Sequence, residues 1–424
     1  SMQAKKPHYS GFAIKVYNLS PQYLQLWWVN EKTTGSGVKL SLIHPYQAKG
    51  TASFPGHQFF LTPKDDPQTV LKRFSIDPTN PITVYDPVED GMLNVGNLNA
   101  NDRKQYYAQL TSLSFAKKYK EFTGIEWLAM FPKSRPTHKM WRADYFDQKH
   151  TVVTNETHYV FWPPANNLEE VDYMHKQLSD IETEQLRKCD AYRQAGHLTL
   201  NLTVISCAPR VFEIRNFLSD VEVDHILELA GVMSLSESTT GSSSGGISET
   251  KTRTSKNTWV DRQTSPIVDA IYRRAADVLR IDEALLRWRH EEEDHISKAV
   301  GTRSTISEAL QLVHYDIGQQ YTAHHDFGYP NPANEYQPAR FATLLLYLNE
   351  GMEGGETGFP RWLNAETGKP LMAVPEKGKA VLFYSSLPDG NNDDLSHHAA
   401  NPVKMGEKWL TNLWVWDPHY ERME

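Results

Sequence analysis

The sequence is poor in cysteine and contains no long apolar run. Only Cys189 and Cys207 occur among 424 residues, so no disulfide framework holds the fold, although one bridge between them is compatible with the count. No apolar stretch reaches the roughly 18 to 20 residues that a membrane-spanning helix needs. The sequence therefore predicts no membrane span.

Basic residues are neither in excess nor clustered. The chain has 44 Lys and Arg residues against 52 Asp and Glu residues, a net charge of -8. No basic block is dense enough to bind nucleic acid or an anionic membrane surface, so we expect neither partner. The length allows two or three globular domains with their own cores. The sequence does not indicate an oligomeric state.

Two features favour the secretory pathway (ER/Golgi) over the cytoplasm. Asn155-Glu-Thr157 and Asn201-Leu-Thr203 fit the glycosylation sequon, although such tripeptides also arise by chance. The opening Ser1-Met2 resembles the remnant of a removed tag, which is compatible with a native signal or anchor segment having been cut away. Cytoplasmic localisation stays open as the alternative.

Residues 1–95 are predicted to form a small β-sandwich, because short β-type runs alternate with Gly, Pro, Asn and Asp. The runs are Phe12–Tyr17, Leu24–Val29, Val38–Ile43, Gln58–Leu61 and Ile82–Tyr85. Helical patterns over Asn101–Glu121 and Leu168–Lys188 predict a helical connector, residues 96–205, whose function the sequence does not reveal.

Residues 206–424 predict two helices followed by a jelly roll. Ser219 and Glu222 form a capping box that opens one amphipathic helix, and Ser265-Pro266 opens the other. Several short strands with Gly and Pro turns then indicate a double-stranded β-helix. These are Ala309–Tyr315, Tyr321–Phe327, Phe341–Leu348, Lys379–Tyr384 and Trp409–Trp416. The expected fold class is mixed and mainly β, with this jelly roll flanked by helices.

Two polar segments interrupt this last region. Ser236–Thr250 is rich in Ser and Gly and predicts a mobile surface loop, either a lid over the site or plain disorder. The charged stretch Arg287–Arg303 is interpreted as a solvated insertion.

A His-x-Asp pattern and a later histidine carry the chemistry. His324 and Asp326 are two apart, so on a strand both side chains leave one face, whereas His325 points the other way and is expected to pack. With His398 they can hold ferrous iron on one face and leave other coordination positions open. Lys408 supplies a fixed cation suited to a cosubstrate with a distal carboxylate.

The last strand places more side chains beside that lysine. By the period of two, Lys408, Leu410, Asn412 and Trp414 share one face, which puts the lysine and Trp414 inside the barrel.

From Pro209 to Asp417 the chain resembles the prolyl 4-hydroxylases, dioxygenases that use ferrous iron and 2-oxoglutarate. The resemblance rests on an ordered set of motifs. These are Pro209-Arg-Val-Phe, Asn216-Phe-Leu-Ser219, Arg253-Thr-Ser255, Tyr315, Tyr321, the His-x-Asp pattern, Thr343, Tyr347-Leu348, Gly354-Gly-Glu-Thr357, Phe359-Pro360 and the segment from His398 to Trp409.

The resemblance implies a role for each matching residue. His324, Asp326 and His398 match the iron ligands, and His398 is preferred over His397 because it lies ten positions before Lys408. Lys408 matches the partner of the 2-oxoglutarate distal carboxylate, and Tyr315 and Thr343 match cosubstrate hydrogen-bonding residues. Tyr321 and Trp414 match pocket aromatics that could equally be core aromatics. Trp414 is accordingly a candidate cofactor-binding residue, and Tyr321 and Arg253 are candidate substrate-binding residues.

The family implies Fe(II), 2-oxoglutarate, O2 and the reductant L-ascorbate, with no catalytic residue beyond the metal and cosubstrate ligands. The expected reaction is 4-hydroxylation of prolyl residues in a peptide or protein. Where the family often has Gly and Cys, this chain has Ala400 and Asn401, neither of which is a ligand. Two alternatives remain: an inactive peptide-binding scaffold, and an oxygenase acting on another residue or a free amino acid.

The segment from about Gly11 to Asp86 resembles the β-domain of the von Hippel-Lindau tumour suppressor, which recognises hydroxyproline. The matching motifs are Asn18-Leu-Ser-Pro21, Trp28, Asn30 and Ser53-Phe-Pro-Gly-His57-Gln-Phe59. Trp28, Ser53 and His57 match that pocket, whereas Phe54 and Phe59 replace its Tyr and Trp. The domain is therefore expected either to bind hydroxyproline peptides or to use its aromatics only as a core.

Overall fold

The computed structural model describes residues 11–29, 37–129, 138–155, 198–238, 240–241, 247–248, 253–291, 304–327, 340–363 and 369–417. Within these ranges, no helix has the combination of length and apolar character needed to cross a bilayer. Cys207 is a free thiol. The predicted helix Leu168–Lys188, Cys189 and most of Arg287–Arg303 lie outside the described residues.

Seven short strands at the N-terminus form two sheets that share one core. The strands are β1 Phe12–Asn18, β2 Leu24–Trp28, β3 Val38–Ile43, β4 Gln47–Ser53, β5 Gln58–Pro63, β6 Lys72–Ser75 and β7 Ile82–Tyr85. Their orders are β4-β1-β7 and β3-β2-β5-β6. Alternate residues of β1, Phe12, Ile14 and Val16, enter the shared core. The sheets match the expected sandwich, and β4 and β6 are strands that the sequence pattern did not reveal.

A long helix, α1 (Ala100–Thr123), covers the outer face of the first sheet. Asn99 caps its N-terminus, because the Asn99 side chain accepts a hydrogen bond from a first-turn backbone N–H. Tyr106 of α1 packs with Tyr17 of β1 and with Ala48 of β4. The helix predicted over Asn101–Glu121 is thereby confirmed and extended by one residue at its start and two at its end.

After α1 the chain docks onto the C-terminal region at Asn391. The Asn391 Oδ1 atom accepts from the backbone N–H of Leu128 at 2.7 Å, and its Nδ2 donates to the carbonyl of Glu126 at 2.8 Å. Asn391 is fully buried, so both hydrogen bonds are shielded from water.

In the described part of the C-terminal region there are seventeen further strands. They are β8 Lys149–Val153, β9 Thr199–Cys207, β10 Arg210–Ile214, β11 Ser236–Glu237, β12 Thr240–Gly241, β13 Ile247–Ser248, β14 Lys256–Val260, β15 Leu310–Tyr315, β16 Tyr321–His324, β17 Arg340–Tyr347, β18 Glu353–Gly354, β19 Thr357–Leu363, β20 Pro370–Ala373, β21 Ala380–Tyr384, β22 His398–Ala400, β23 Val403–Met405 and β24 Lys408–Trp416.

Two of the resulting sheets enclose the core of a jelly roll. The larger has nine strands in the order β11-β14-β15-β24-β17-β21-β10-β9-β8, and the smaller has four in the order β16-β22-β19-β20. Leu345 and Phe383 of the large sheet pack with Phe359 and Leu371 of the small one. This double-stranded β-helix is the fold that the sequence predicted for residues 206–424.

The large sheet also takes strands from the segment interpreted as a connector. β8 pairs with β9, and β9 pairs with β10, all antiparallel. The expected boundary between residues 205 and 206 therefore falls inside a strand, and part of 96–205 belongs to the jelly roll. Ser236–Thr250, expected to be a loop, contributes β11 and the paired strands β12 and β13.

Two helices cover the other face of the large sheet. α2 (Asp220–Val232) begins with the predicted capping box, in which Ser219 and Glu222 exchange hydrogen bonds. α3 (Pro266–Leu279) has Pro at its start and buries Ile267 and Ile271 against the sheet.

One buried ion pair joins the two helices. The Arg274 guanidinium donates to both carboxylate oxygens of Glu222, at 2.6 and 2.8 Å, and also to the carbonyl of Phe217 at 2.6 Å. Both charged side chains are fully inaccessible to solvent. Each charge is therefore tolerated only because the other is present.

We predict that Arg274→Ala lowers the free energy of unfolding by about 3 to 5 kcal/mol, because it leaves the Glu222 carboxylate buried without a cation. Urea unfolding measures this change. Lys404→Ala is the matched control, since Lys404 and Glu353 pair at 3.7 Å with both side chains largely exposed; it should change the stability little. Equal stability of the two variants would contradict the prediction.

Candidate metal and cosubstrate site

Two neighbouring strands bring the predicted metal ligands together. β16 and β22 pair antiparallel, with His324 directly opposite His398, and Asp326 follows just after the end of β16. The Nε2 atoms of His324 and His398 each lie 3.6 Å from a carboxylate oxygen of Asp326. The three donor atoms lie within 4.8 Å of one another, which is close enough to share one ion.

Backbone carbonyls orient both imidazole rings. The Nδ1 atom of His324 lies 2.9 Å from the carbonyl oxygen of Thr322, and the Nδ1 atom of His398 lies 2.9 Å from that of Ser396. A carbonyl only accepts, so each Nδ1 carries the hydrogen and each Nε2 lone pair is left for a metal. Burial and then the neighbouring His398 lower the pKa of His324, which favours this neutral form.

Asp326 is fixed by two donors on one oxygen. Its Oδ2 accepts from Thr343 Oγ1 at 2.6 Å and from Trp414 Nε1 at 3.0 Å. Burial alone would raise the pKa of Asp326, but His398, His324 and Arg340 outweigh burial and hold that pKa well below its usual range. The carboxylate is therefore ionised and ready to bind a cation. A neutral-imidazole pair with one carboxylate is the donor set that fits ferrous iron.

The adjacent histidines lie apart from this donor set. His325 stacks on Phe327 with ring centroids 4.4 Å apart, and its Nε2 lies 3.2 Å from Asp394 Oδ1. His397 packs against His325 at 4.7 Å. The packing role expected for His325 and the choice of His398 over His397 both agree with this placement.

Lys408 lies in the cavity that contains these ligands. The cavity has a volume of about 270 Å3 and is also lined by Tyr315 of β15 and by Leu410, Asn412 and Trp414, which share with Lys408 the face predicted for the last strand. Lys408 is fully buried, and its Nζ has no hydrogen-bond partner within the described residues. An orphaned buried ammonium calls for an anion, so the cavity fits a cosubstrate carboxylate.

Aromatic rings flank that ammonium group. Lys408 Nζ lies 5.4 Å from the ring centroid of Tyr315 and 5.6 Å from that of Tyr347. Burial lowers the pKa of Lys408 to about 7, because the charged form loses its hydration in the protein interior.

A glycine turn allows the chain to approach this end of the cavity. At Gly354, with φ of +79°, an added Cβ would lie 2.3 Å from the carbonyl oxygen of Pro402. At Gly355 it would lie 3.3 Å from the Lys408 side chain. Because neither glycine has a side chain, β23 and Lys408 can pack close to this turn.

The candidate substrate residues Arg253 and Tyr321 form a stack at the cavity. Tyr321 stacks on His324 with ring centroids 3.6 Å apart, and the Arg253 guanidinium lies 4.7 Å above the Tyr321 ring. Arg253 also donates to Gln311 Oε1 at 3.0 Å. Tyr321 is thus a pocket aromatic, and it packs directly on a metal-ligand candidate.

Two residues that were expected to contact the cosubstrate, Thr343 and Trp414, form hydrogen bonds with Asp326. Thr343 donates its hydroxyl to Asp326, so it holds a metal-ligand candidate, and Trp414 does the same through its indole N–H. Tyr315 is almost fully buried and its ring faces Lys408. The cosubstrate contacts of all three stay predictions.

Sequence reasoning missed Arg340 and Trp259, which also line the cavity. The Arg340 guanidinium lies 3.8 Å from the Trp414 ring centroid and donates to both carboxylate oxygens of Glu308, at 2.6 and 2.9 Å. A charge opening the apolar strand β17 was the available signal for Arg340. Trp259 is 45% exposed and gave no pattern distinct from an ordinary strand residue.

The three N-terminal pocket candidates also meet. Ser53 Oγ lies 3.2 Å from His57 Nδ1, and the His57 ring centroid lies 5.5 Å from that of Trp28. The Phe54 ring centroid lies 5.4 Å from that of His57, and Phe54 is 45% exposed. Trp28 and Phe54 therefore flank a polar pair at the surface of the sandwich.

Residues 310–416 match the family described as the 2OG-Fe(II) oxygenase superfamily. The chain is 33% identical over 224 residues to "Probable prolyl 4-hydroxylase 3" of Arabidopsis thaliana, covering 50% of this chain and 71% of that protein. It is 30% identical to "Prolyl 4-hydroxylase subunit alpha-1" of Gallus gallus, covering 49% of this chain and 36% of that one.

Among solved structures, the chain is similar to a viral collagen prolyl hydroxylase from Paramecium Bursaria Chlorella virus-1 in its 2OG complex. The identity is 26%, the TM-score is 0.35, and the match covers 49% of this chain and 95% of the viral one.

We predict that His398→Ala abolishes Fe(II) binding, whereas His397→Ala retains it, because only His398 presents its Nε2 to His324 and Asp326. Metal content after dialysis against Fe(II) under anaerobic conditions measures both. Retention of iron by His398→Ala together with its loss from His397→Ala would reverse the assignment.

We predict that Lys408→Ala leaves Fe(II) bound but raises the Kd for 2-oxoglutarate about 10- to 100-fold, as expected for loss of one charged hydrogen bond. Anaerobic titration of the iron-loaded protein measures this affinity, with Lys404→Ala as the surface control. An unchanged Kd would contradict the assignment of Lys408.

The pH dependence follows from the same lysine. With a pKa near 7, Lys408 is charged below neutral pH and neutral above it in the protein without 2-oxoglutarate. Because the carboxylate pairs with the protonated form, the Kd for 2-oxoglutarate should rise above pH 7, by up to about tenfold per pH unit. Lys408→Arg should flatten this profile, since a guanidinium stays charged.

Proposed function

The chain belongs to the prolyl 4-hydroxylase family of 2OG-Fe(II) oxygenases, and on that basis we propose that it hydroxylates prolyl residues of a peptide or protein at carbon 4. The observation that carries the proposal is the pairing of two features in one cavity. The His324, Asp326 and His398 donors lie together there, and the unpartnered Lys408 ammonium lines the same cavity.

Ferrous iron and 2-oxoglutarate, when bound, supply the activation of O2 that oxidises an unactivated C–H bond. The protein supplies orientation. Thr343 and Trp414 fix the Asp326 carboxylate, and carbonyls of Thr322 and Ser396 fix the two imidazoles. Lys408 would hold the distal carboxylate of 2-oxoglutarate.

The mouth of the cavity favours a peptide substrate. Trp259 is 45% exposed and lies 6.0 Å from Trp414, and Arg253 covers Tyr321, so aromatic faces and guanidinium groups line the cavity. Extended proline-containing segments bind to grooves lined by aromatic residues, because such segments lose little conformational entropy on binding.

An inactive scaffold is the second class of function. The complete donor set argues against it, because a scaffold has no need of an oriented triad and a buried orphan lysine. An oxygenase acting on another residue retains the same site, so the substrate test must separate it from a prolyl hydroxylase.

The test is mass spectrometry of a proline-peptide panel incubated with the protein, Fe(II), 2-oxoglutarate and ascorbate. The proposal expects addition of one oxygen atom to proline, with hydroxylation at carbon 4 established by amino-acid analysis. Matched controls are peptides with Ala for Pro and the His398→Ala protein. Oxidation of another residue, or no peptide oxidation with intact iron binding, would refute it.

For the N-terminal sandwich we propose binding of a hydroxyproline-containing peptide beside Trp28, Ser53 and His57. The indole face suits the pyrrolidine ring, and the Ser53–His57 pair offers donors and acceptors to the added hydroxyl. Phe54 lacks the polar handle that the related domain carries, so Ser53 and His57 alone would discriminate the hydroxyl.

Calorimetry of the metal-free full-length protein against paired proline and hydroxyproline peptides tests this pocket. We expect the hydroxyproline peptide to bind about tenfold more tightly, and His57→Ala to remove the difference. The control Lys404→Ala should retain it. Equal binding of the two peptides, or a preference that survives in His57→Ala, would end the proposal.

We further propose that the protein acts in the secretory pathway and that ascorbate is its reductant. A shift in electrophoretic mobility of the cell-derived protein after endoglycosidase treatment would support the first point. Activity that is independent of ascorbate over repeated turnovers would contradict the second.

A further inference from the structure

Asp394 connects three separate parts of the chain. Its Oδ1 accepts from the backbone N–H of Ala13 at 3.2 Å, from the Arg361 guanidinium, and lies 3.2 Å from His325 Nε2. Ala13 belongs to β1 of the N-terminal sandwich, Arg361 to β19, and His325 follows β16 of the small sheet. One carboxylate thus joins the sandwich to the strands of the jelly roll.

The N-terminal side of this contact lies at an uncovered sheet edge. β7 pairs with β1 only from Lys15 onward, while β4 pairs along the whole of β1. Among the described residues, no strand pairs with β1 on this edge at Ala13, and Asp394 accepts the N–H there. Unpaired strand edges usually require such a partner.

The other side of the contact reaches the metal-ligand candidates by two routes. His325 stands between His324 and Asp326 in sequence, so fixing its ring fixes the backbone that carries both. Asp394 also begins the short 3-10 helix Asp394–Ser396, whose last carbonyl accepts from His398 Nδ1. Asp394 is thus linked to His324 and Asp326 through His325, and to His398 through the short helix.

We propose that Asp394 is a positioning residue through which the N-terminal sandwich sets the geometry of the iron site. The inference rests on the proposed function only for the identity of the metal. It makes the sandwich part of the catalytic unit, since Ser53 of its candidate pocket pairs directly with Phe12, the neighbour of Ala13. A peptide held at the sandwich would thereby be linked, through β1 and Asp394, to the strand pair that supports the triad.

Cobalt(II) binding to the full-length protein tests the proposal without turnover. We expect Asp394→Ala to raise the Co(II) Kd about tenfold and to shift the Co(II) ligand-field spectrum, because residues behind metal ligands commonly cost 10- to 100-fold in affinity. Asp394→Asn keeps an oxygen for Ala13 and should recover part of both changes. Wild-type affinity and spectrum in Asp394→Ala would overturn the proposal.

Asp389→Asn is the matched control in the same loop. Asp389 accepts from Tyr119 of α1 at 2.7 Å, so it also joins the N-terminal part to the jelly roll, but among the described residues no hydrogen bond links it to the His-x-Asp segment. It should leave Co(II) binding unchanged. An equal loss in Asp389→Asn would show a general effect of docking and would overturn the specific role of Asp394.

A substitution in the N-terminal sandwich distinguishes loss of the Ala13–Asp394 contact from direct damage to the jelly roll. Ala13→Pro deletes the N–H donor to Asp394, restricts the backbone of β1 locally and leaves the jelly-roll sequence intact, and it should weaken Co(II) binding in the same direction as Asp394→Ala. Amide hydrogen exchange confirms that each variant is folded. Wild-type Co(II) binding in a folded Ala13→Pro protein would overturn the link to the sandwich. Absence of prolyl oxidation with these Co(II) effects intact would refute only the proposed function.

Discussion

Burial of the central strands of the large sheet on both faces is the constraint on which the remaining structure depends. Leu344 and Leu346 of β17 pack toward α2 and α3, whereas Leu345 and Tyr347 pack toward the small sheet. A strand covered on both sides must be apolar at every position, unless a cavity or a partner accepts the exception. The polar exceptions on the inner face, including Thr343 and Lys408, therefore mark the site.

The fold was largely predictable because its strands and helix starts carry local signals. The capping box at Ser219 and the proline at the start of α3 indicated both helices, and the apolar run of β17 indicated a central strand. β9 alternates Thr and Asn with apolar residues, as a half-buried strand does, but it was missed because its segment was interpreted as part of a helical connector and because its partner β8 is distant in sequence. Its place follows from long-range pairing, which no local pattern encodes.

Site residues were predictable where a strand fixes the spacing between them, and not where residues distant in sequence make the contacts. The separation of His324 and Asp326 by two residues is a property of extended backbone, so the sequence revealed it. Arg340 and Asp394 act through side chains that meet only after the sheets form. Thr343 was recognised by position, but its hydrogen bond to Asp326 depends on the approach of β17 to the end of β16.

The membership of β8 and β9 in the large sheet changes what counts as an autonomous fragment. A protein shortened to residues 206–424 would keep every metal-ligand candidate yet cut β9 near its end. β10 would then become an edge strand whose unpaired backbone groups face solvent or another molecule. Such a fragment would be prone to self-association, so the smallest soluble oxygenase unit has to begin before Lys149.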